Sequence, residues 1–366
     1  MLIIGLASCG KDLVAPSPSL TERLQGVLDD TVGLPDYRKG ISVAIVGPGD
    51  QVWHGVSGVS DPVTAEAISE DMLFNIGWSV SEMYIAALIL HYAADGLLSL
   101  DDPISEWLKD FAHIEEDSIT VRHLLTHTSG LYDYLLNPNI PTANYYTMNH
   151  STVWDFDRLL DSYLLNPLAV PGSQWYASNT DYLILREIID VISESARVQS
   201  IHDRLLDPLN LTHTFLDHFE DIPAGASIAH GWFWCSDGSD LFDITPDPRT
   251  AIATAVPTSI FSTAEELARF TKALLTGVLL DQAEMEALLA FEATGQSDGS
   301  EYGLGIFQRS YQGYEYWGKG GWDYGYESQV LYIPDLDICV ALLMNYHSWT
   351  SHFLYLLLDI LLEEYA

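Results

Sequence analysis

Lysine is scarce in this 366-residue chain, which has only Lys11, Lys39, Lys109, Lys272 and Lys319. Lysine and arginine together number 15 against 52 acids, a formal charge of −37. Nucleic acid and anionic membrane both need basic patches, so this balance argues against either as a partner. Long apolar runs are missing too; none approaches the ~18 residues of a membrane span. Cysteine is limited to Cys9, Cys235 and Cys339, and no Cys/His cluster has metal-ligand spacing, so no metal or cofactor is expected. In an oxidising compartment Cys235 and Cys339 could pair, though two buried free thiols are the preferred reading. No internal repeat or low-complexity segment occurs.

What is abundant is apolar and aromatic: 48% of residues are hydrophobic, with 20 tyrosines, 12 phenylalanines and 10 tryptophans, enough for a sizeable core. The acids are dispersed rather than gathered in a tail. Dispersed acid with little lysine suits a salt-rich medium, where counterions screen self-repulsion; an ordinary acidic protein is the alternative. The start, with Leu6-Ala7-Ser8-Cys9 after an apolar run, resembles the end of a bacterial lipoprotein signal without its basic n-region. Lipid on Cys9 would make this an exported protein of the bacterial envelope, with residues 1–18 as signal remnant and tether. A frayed apolar N-terminus is the plainer reading of the same residues.

Periodicity and punctuation organise residues 19–366. Ser19 to Val32 reads as a helix capped at Ser19 or Thr21 with Glu22 following. Ile41–Val46 and Gln51–Val56 read as a hairpin turned by Pro48-Gly49-Asp50. A helix runs from Ser79 to about Asp95, stopped by Gly96. The middle is helical and loop-rich, with helices at Ser151–Leu165, Thr180–Ser195 and Ile201–Leu205. Thr263–Thr276 is an amphipathic helix. Strands follow at Tyr302–Phe307, Tyr314–Trp317, Glu327–Tyr332 and Ile338–Met344, and a last helix at Ser351–Glu364. Strands at both ends with helices between predict an α/β fold: an antiparallel sheet flanked by helices, built from about 19–110 and 251–366, with an all-α subdomain inserted at about 111–250.

Ordered motifs carry chemistry onto this frame. They are Phe74-Asn-Ile-Gly-Trp-Ser79-Val-Ser-Glu82-Met-Tyr84, Asp95-Gly-Leu-Leu-Ser-Leu-Asp-Asp-Pro103, Ile119-Thr-Val-Arg-His-Leu-Leu-Thr-His127-Thr-Ser-Gly-Leu131, Pro171-Gly-Ser-Gln-Trp-Tyr-Ala177-Ser-Asn179-Thr-Asp-Tyr182, Ser262–Phe270, Tyr302-Gly-Leu-Gly305 and Gly318-Lys319-Gly-Gly321. Over roughly residues 25 to 360 the chain resembles the β-lactamase-related serine hydrolases: class C β-lactamases, penicillin-binding D,D-peptidases and related esterases. That resemblance implies Ser79 as nucleophile, with a lysine one helical turn later as its base. Here Glu82 takes the lysine's place, and a carboxylate of ordinary pKa is a poor base for an alcohol. The match requires Trp78 to be an extra residue; without that gap Trp78 itself falls on the nucleophile position. The spacing also allows a plain capping box, Ser79 as N-cap and Glu82 at N3.

The family's Tyr-x-Asn motif puts Ala177 where a tyrosine is expected, with Tyr176 adjacent and Asn179 retained to hold a carbonyl or amide. Its third motif is matched by Lys319-Gly320-Gly321, so Lys319 would bind a substrate carboxylate or polarise the nucleophile. The resemblance further implies an oxyanion hole from the N–H groups of Ser79 and Trp322. Gly321, Trp322 and Tyr132 are read as substrate-binding. Tyr132, Tyr134, Tyr145, Tyr146, Trp232, Trp234, Trp322 and Tyr324 are candidates for an aromatic lining.

Two functions follow. The first is a serine hydrolase acting on an ester or amide of a small molecule or peptide through a Ser79 acyl-enzyme, with weak activity. Glu82 and Lys319 would form a swapped pair, and Lys319, Tyr176 or Glu82 would relay the proton; β-lactam hydrolysis is disfavoured. The second is an envelope-anchored binding protein that has kept the cleft and lost catalysis.

Overall fold

The computed structural model describes residues 18–33, 40–108, 114, 116–140, 156–194, 196–234, 241–244, 258–346 and 352–365. Cys9, Cys235, Tyr145, Tyr146 and the start of the expected helix at 151–165 lie outside them.

Eight strands form one antiparallel sheet: β1 (Ile41–Val46), β2 (Val52–Ser57), β3 (Glu292–Ala293), β4 (Glu301–Tyr302), β5 (Phe307–Tyr311), β6 (Tyr314–Asp323), β7 (Tyr326–Ile333) and β8 (Ile338–Met344), in spatial order β3-β4-β5-β6-β7-β8-β1-β2. The N-terminal hairpin thus joins the sheet through β8, with Ile41 opposite Met344 and Val46 opposite Cys339. The helices are α1 (Leu20–Val32), α2 (Trp78–Ala94), α3 (Val121–Leu125), α4 (Phe156–Tyr163), α5 (Asn179–Ile192), α6 (Arg197–Ile201), α7 (Ala264–Leu275), α8 (Gln282–Leu288) and α9 (His352–Tyr365). A small sheet of Phe74–Asn75, Ile260–Ser262 and Phe215–Leu216 ties the start of α2 to the middle of the chain.

β1 and β8 are buried at every position, and apolar at all but Ser42, because both faces are covered. Ile41, Val43 and Ile45 of β1, with Ile338, Val340, Leu342 and Met344 of β8, pack with Leu24 and Leu28 of α1 and with Leu357 and Leu361 of α9. The alternate residues Ala44, Val46, Cys339, Ala341 and Leu343 belong to the larger core on the other face, with α2 and α7. Cys339 is a free thiol there, and burial pushes its pKa up. In α2, 13 residues are buried around the whole circumference, as a helix in the middle of a core requires.

Local signals are realised closely at α1, where Ser19 and Glu22 form a reciprocal capping box. The expected strand Tyr302–Phe307 is broken into β4 and β5. Gly305 sits there at φ +79°, where a Cβ would lie 2.8 Å from the Tyr182 hydroxyl and 3.1 Å from Ala86. Close approach to the α2–α5 core, rather than strand pairing, dictates this segment.

Candidate active site

The start of α2 is fixed by its surroundings rather than by a capping serine. Gly77 is the N-cap, at φ 77° and ψ 158°, so the capping-box reading of Ser79 and Glu82 is overturned. A glycine is needed because a Cβ at this position would lie 2.4 Å from the Trp322 backbone nitrogen. Asn75 clamps the turn: its side chain accepts from the Gly77 N–H at 2.8 Å and donates to Asp323 at 2.8 Å and to Ser259 at 3.0 Å. Trp78 then packs its ring against Trp322, with centroids 5.2 Å apart. Ser79 follows in the first turn of the helix, half-buried, one turn before Glu82.

Ser79, Glu82, Asn179 and Lys319 line one cavity of about 180 Å³, together with His127, Asp133, Trp175, Ala177, Ser178, Tyr302, Phe307 and Gly320. Elements far apart in the chain therefore meet: α2, the loop after α3, the start of α5, β4, β5 and β6. Glu82 and Lys319 are 3% and 5% exposed, and Lys319 Nζ lies 2.5 Å from Glu82 Oε2. The swapped pair expected from the sequence is formed. The Lys319 amine also donates to the Tyr302 hydroxyl, which in turn lies 3.3 Å from Glu82 Oε2. The same amine sits over the Tyr302 ring, 4.5 Å from its centroid.

Beyond Glu82 the polar chain continues. His127 Nε2 is 3.4 Å from Glu82 Oε2, and Nδ1 is 2.9 Å from Asp181 Oδ2. The Ser129 hydroxyl donates to the other Asp181 oxygen at 2.5 Å. Burial alone would raise the Glu82 pKa, but the cations of Lys319 and His127 outweigh it and hold the carboxyl below its usual range. Burial lowers the Lys319 pKa, with Glu82 opposing. Burial raises Asp181 to about 6 against its bonds to His127 and Ser129. The Tyr302 phenol is pushed well above its ordinary value, first by burial and then by Tyr182 and Glu82, so it stays protonated.

Other sequence-derived residues are placed differently. Asn179 donates to Asp133 Oδ2 at 2.7 Å, and burial raises the Asp133 carboxyl despite that bond. Ala177 is exposed on the cavity wall, where the resemblance implies a phenol. Tyr176 and Tyr132 are half-buried outside the lining, Tyr176 donating its N–H to His127 O at 2.8 Å. Gly321 backs onto α2, where a Cβ would sit 2.6 Å from Ile76 O, and Trp322 is taken up by Trp78 and Tyr324. Among the described residues the aromatic lining is Trp175, Tyr302 and Phe307, and none of the expected Tyr132, Tyr134, Trp232, Trp322 and Tyr324. Tyr134 is wholly buried in the core, Tyr324 is buried, and Trp232 spends its N–H on Ser60 O at 2.8 Å. The side chain of Trp234 lies outside the described residues.

His127, Asp181 and Tyr302 were not singled out by the sequence reading. All three stand inside the ordered motifs, which is the signal available. Among the described residues no group of three or more His, Cys, Asp or Glu could hold a metal.

Comparison with known proteins agrees with this architecture. The family model described as Beta-lactamase matches residues 28–362. Penicillin-binding protein 4 of Amycolatopsis lactamdurans is 25% identical over 357 residues, covering 91% of this chain and 88% of that protein. Esterase EstB of Burkholderia gladioli is 31% identical over 192 residues, but the match spans only 50% of this chain and 47% of the esterase. Among solved structures, the D-amino acid amidase of Ochrobactrum anthropi SV3 in complex with L-phenylalanine amide superposes with a TM-score of 0.79 at 23% identity, over 94% of this chain and 97% of that one, a likeness of fold. Because the family match runs from α1 to α9 and takes in every group gathered around the cavity, the chain belongs to the β-lactamase family of serine hydrolases.

Proposed function

We propose that this protein hydrolyses an ester or amide through an acyl-enzyme on Ser79, with Lys319 and Tyr302 doing the proton transfer that a helix lysine and a loop tyrosine do in the family the sequence resembles. The observation that carries this reading is the Lys319 amine, held at 2.5 Å by Glu82 and bonded to the Tyr302 hydroxyl, in the wall of the cavity that Ser79 lines. In its neutral form the amine accepts the Ser79 proton, directly or through the Tyr302 hydroxyl, as Oγ attacks the carbonyl. The ammonium then protonates the leaving alcohol or amine, and the regenerated amine activates water for deacylation. Glu82 stays ionised throughout and serves as the counter-ion that fixes Lys319, rather than as a base. Asn179, which lines the same cavity, is assigned the substrate's amide or carbonyl. The names of the relatives, an esterase and a D-amino acid amidase, support a small ester or amide as substrate class. Activity is expected to be weak, because Lys319 must lose a proton next to the anion that stabilises its charged form.

Exposed Ala177 favours a second reading, a cleft that binds a peptide or small molecule without turnover. Intact-mass measurement after a fluorophosphonate separates the two. One adduct that vanishes in Ser79→Ala and falls at least ~100-fold in rate in Lys319→Met supports the hydrolase; no adduct at any pH or salt leaves the binding protein. The intact mass of protein isolated from its native membrane fraction tests lipid on Cys9.

A further inference from the structure

His127 is held in an uncommon backbone state, φ 56°, by bonds from its N–H to Leu124 O at 3.2 Å and from Tyr176 N–H to its own carbonyl at 2.8 Å. Non-glycine residues in the left-handed region persist where the surroundings over-determine them, often at functional sites. The result is a buried imidazole facing a carboxylate at each nitrogen: Asp181 of α5 at 2.9 Å from Nδ1 and Glu82 of α2 at 3.4 Å from Nε2. The Ser178 N–H, 3.4 Å from Nδ1, is that nitrogen's longer contact. A neutral imidazole has one N–H, so only the imidazolium can donate to both carboxylates. The remaining neighbours are neutral rings, Tyr182 at 5.1 Å, Tyr302 at 5.3 Å and Trp175 at 6.1 Å, with Asp133 the other acid of the cavity wall. Lys319 in turn faces Glu82, Tyr302 and the Tyr182 ring, and Arg309 of β5 is the other cation acting on it.

Glu82 is therefore shared between two cations. We propose that His127 is a positioning residue of this site, the cation that remains on Glu82 when Lys319 gives up its proton. With His127 charged, deprotonation of Lys319 leaves one imidazolium bridging two buried carboxylates. Without it, the same step would leave Glu82 a buried anion with no cation, held only by the Tyr302 hydroxyl at 3.3 Å, which a low-dielectric interior opposes. His127 thus makes the neutral amine accessible, and Asp181 and Ser129 hold the ring in place to do so. The electrostatics agree in direction. Burial opposes the imidazolium, yet Glu82 and Asp181 outweigh burial and raise the His127 pKa.

This inference rests on Lys319 being the base, and it is tested without relying on turnover. With five lysines in the chain, labelling lysine with 13C and 15N gives a spectrum in which Lys319 is assigned by its loss in Lys319→Met. Its titration is followed in the wild type, in His127→Gln and in Asp181→Asn, which keeps the imidazole but removes the acid that holds its charge. The expected result is a Lys319 midpoint below that of an ordinary lysine in the wild type. It should rise by about one unit in both folded variants, a roughly tenfold loss of neutral amine at a given pH. The pH profile of Ser79 labelling should move upward by the same interval. An unmoved Lys319 midpoint in either variant that melts cooperatively overturns the inference. A moved midpoint with no Ser79 adduct upholds it and removes the hydrolase reading instead, whereas an adduct with an unmoved midpoint does the reverse.

Discussion

Between the two cations that face it, the Glu82 carboxylate holds its charge in a site where burial alone would neutralise it. Removing that charge leaves Lys319 as a buried ammonium without a counter-ion. Glu82→Gln should therefore cost about 3–5 kcal/mol in a denaturant melt at neutral pH, and adding Lys319→Met should recover most of it. The sign of the pH dependence follows from the same lowered pKa. A carboxyl that holds its proton less tightly folded than unfolded contributes stability fully present above its ordinary 4.5 and lost as pH falls through the folded value. The wild type should lose that component on acidification, and Glu82→Gln should lack it. An acid limb of equal steepness in both proteins would show that Glu82 is not ionised in the fold.

At the scale of the element, α2 is legible in the sequence as a helix, but its start is not. Ser-x-x-Glu is a sound local cap signal, and at Ser19–Glu22 it is fulfilled. At Ser79–Glu82 it loses because Lys319, Tyr302 and His127 offer Glu82 a buried, charge-assisted set of partners, and because the turn at Gly77 is pressed against Trp322. Gly77→Ala meets two penalties, a φ of 77° and a Cβ 2.4 Å from backbone. A stability loss of at least about 1–3 kcal/mol is expected by melting, with slower fluorophosphonate labelling of Ser79 because the first turn of α2 is displaced. Labelling at the wild-type rate would mean that the turn does not position the serine. The long strands match the sequence in type, with ends within about a residue for β1, β2, β7 and β8, while the strand expected at Tyr314–Trp317 runs on to Asp323. The exception is Tyr302–Phe307, where packing of Gly305 on Tyr182 and Ala86 overrides extension.

Over the whole molecule, the balance of 15 basic against 52 acidic residues sets long-range self-repulsion that no single contact relieves. We read this as adaptation to salt. The melting temperature should rise as sodium chloride is brought from low to molar concentration, since screening acts on exposed charges and barely on the buried Glu82–Lys319 pair. A melting temperature indifferent to salt would make this an ordinary acidic protein. No helix of the described residues is long and apolar enough to cross a membrane.

The sequence by itself determined what depends on neighbours within a few residues or on order along the chain. That includes the Ser19 cap, the two-residue alternation that sends β1 and β8 side chains into separate cores, and the succession of motifs that marks the family. It also supplied Ser79, Glu82, Asn179 and Lys319 as members of one site. Only the tertiary structure decided how they act. Glu82 meets Lys319 across 237 positions, Tyr302 meets Glu82 across 220, and His127 meets Asp181 across 54. No local pattern encodes which long-range partner a buried charge will find. That choice is made by desolvation, which makes an isolated ion untenable in the core and binds each one to whatever opposite charge the packing of α2 against β6 and α5 brings within reach.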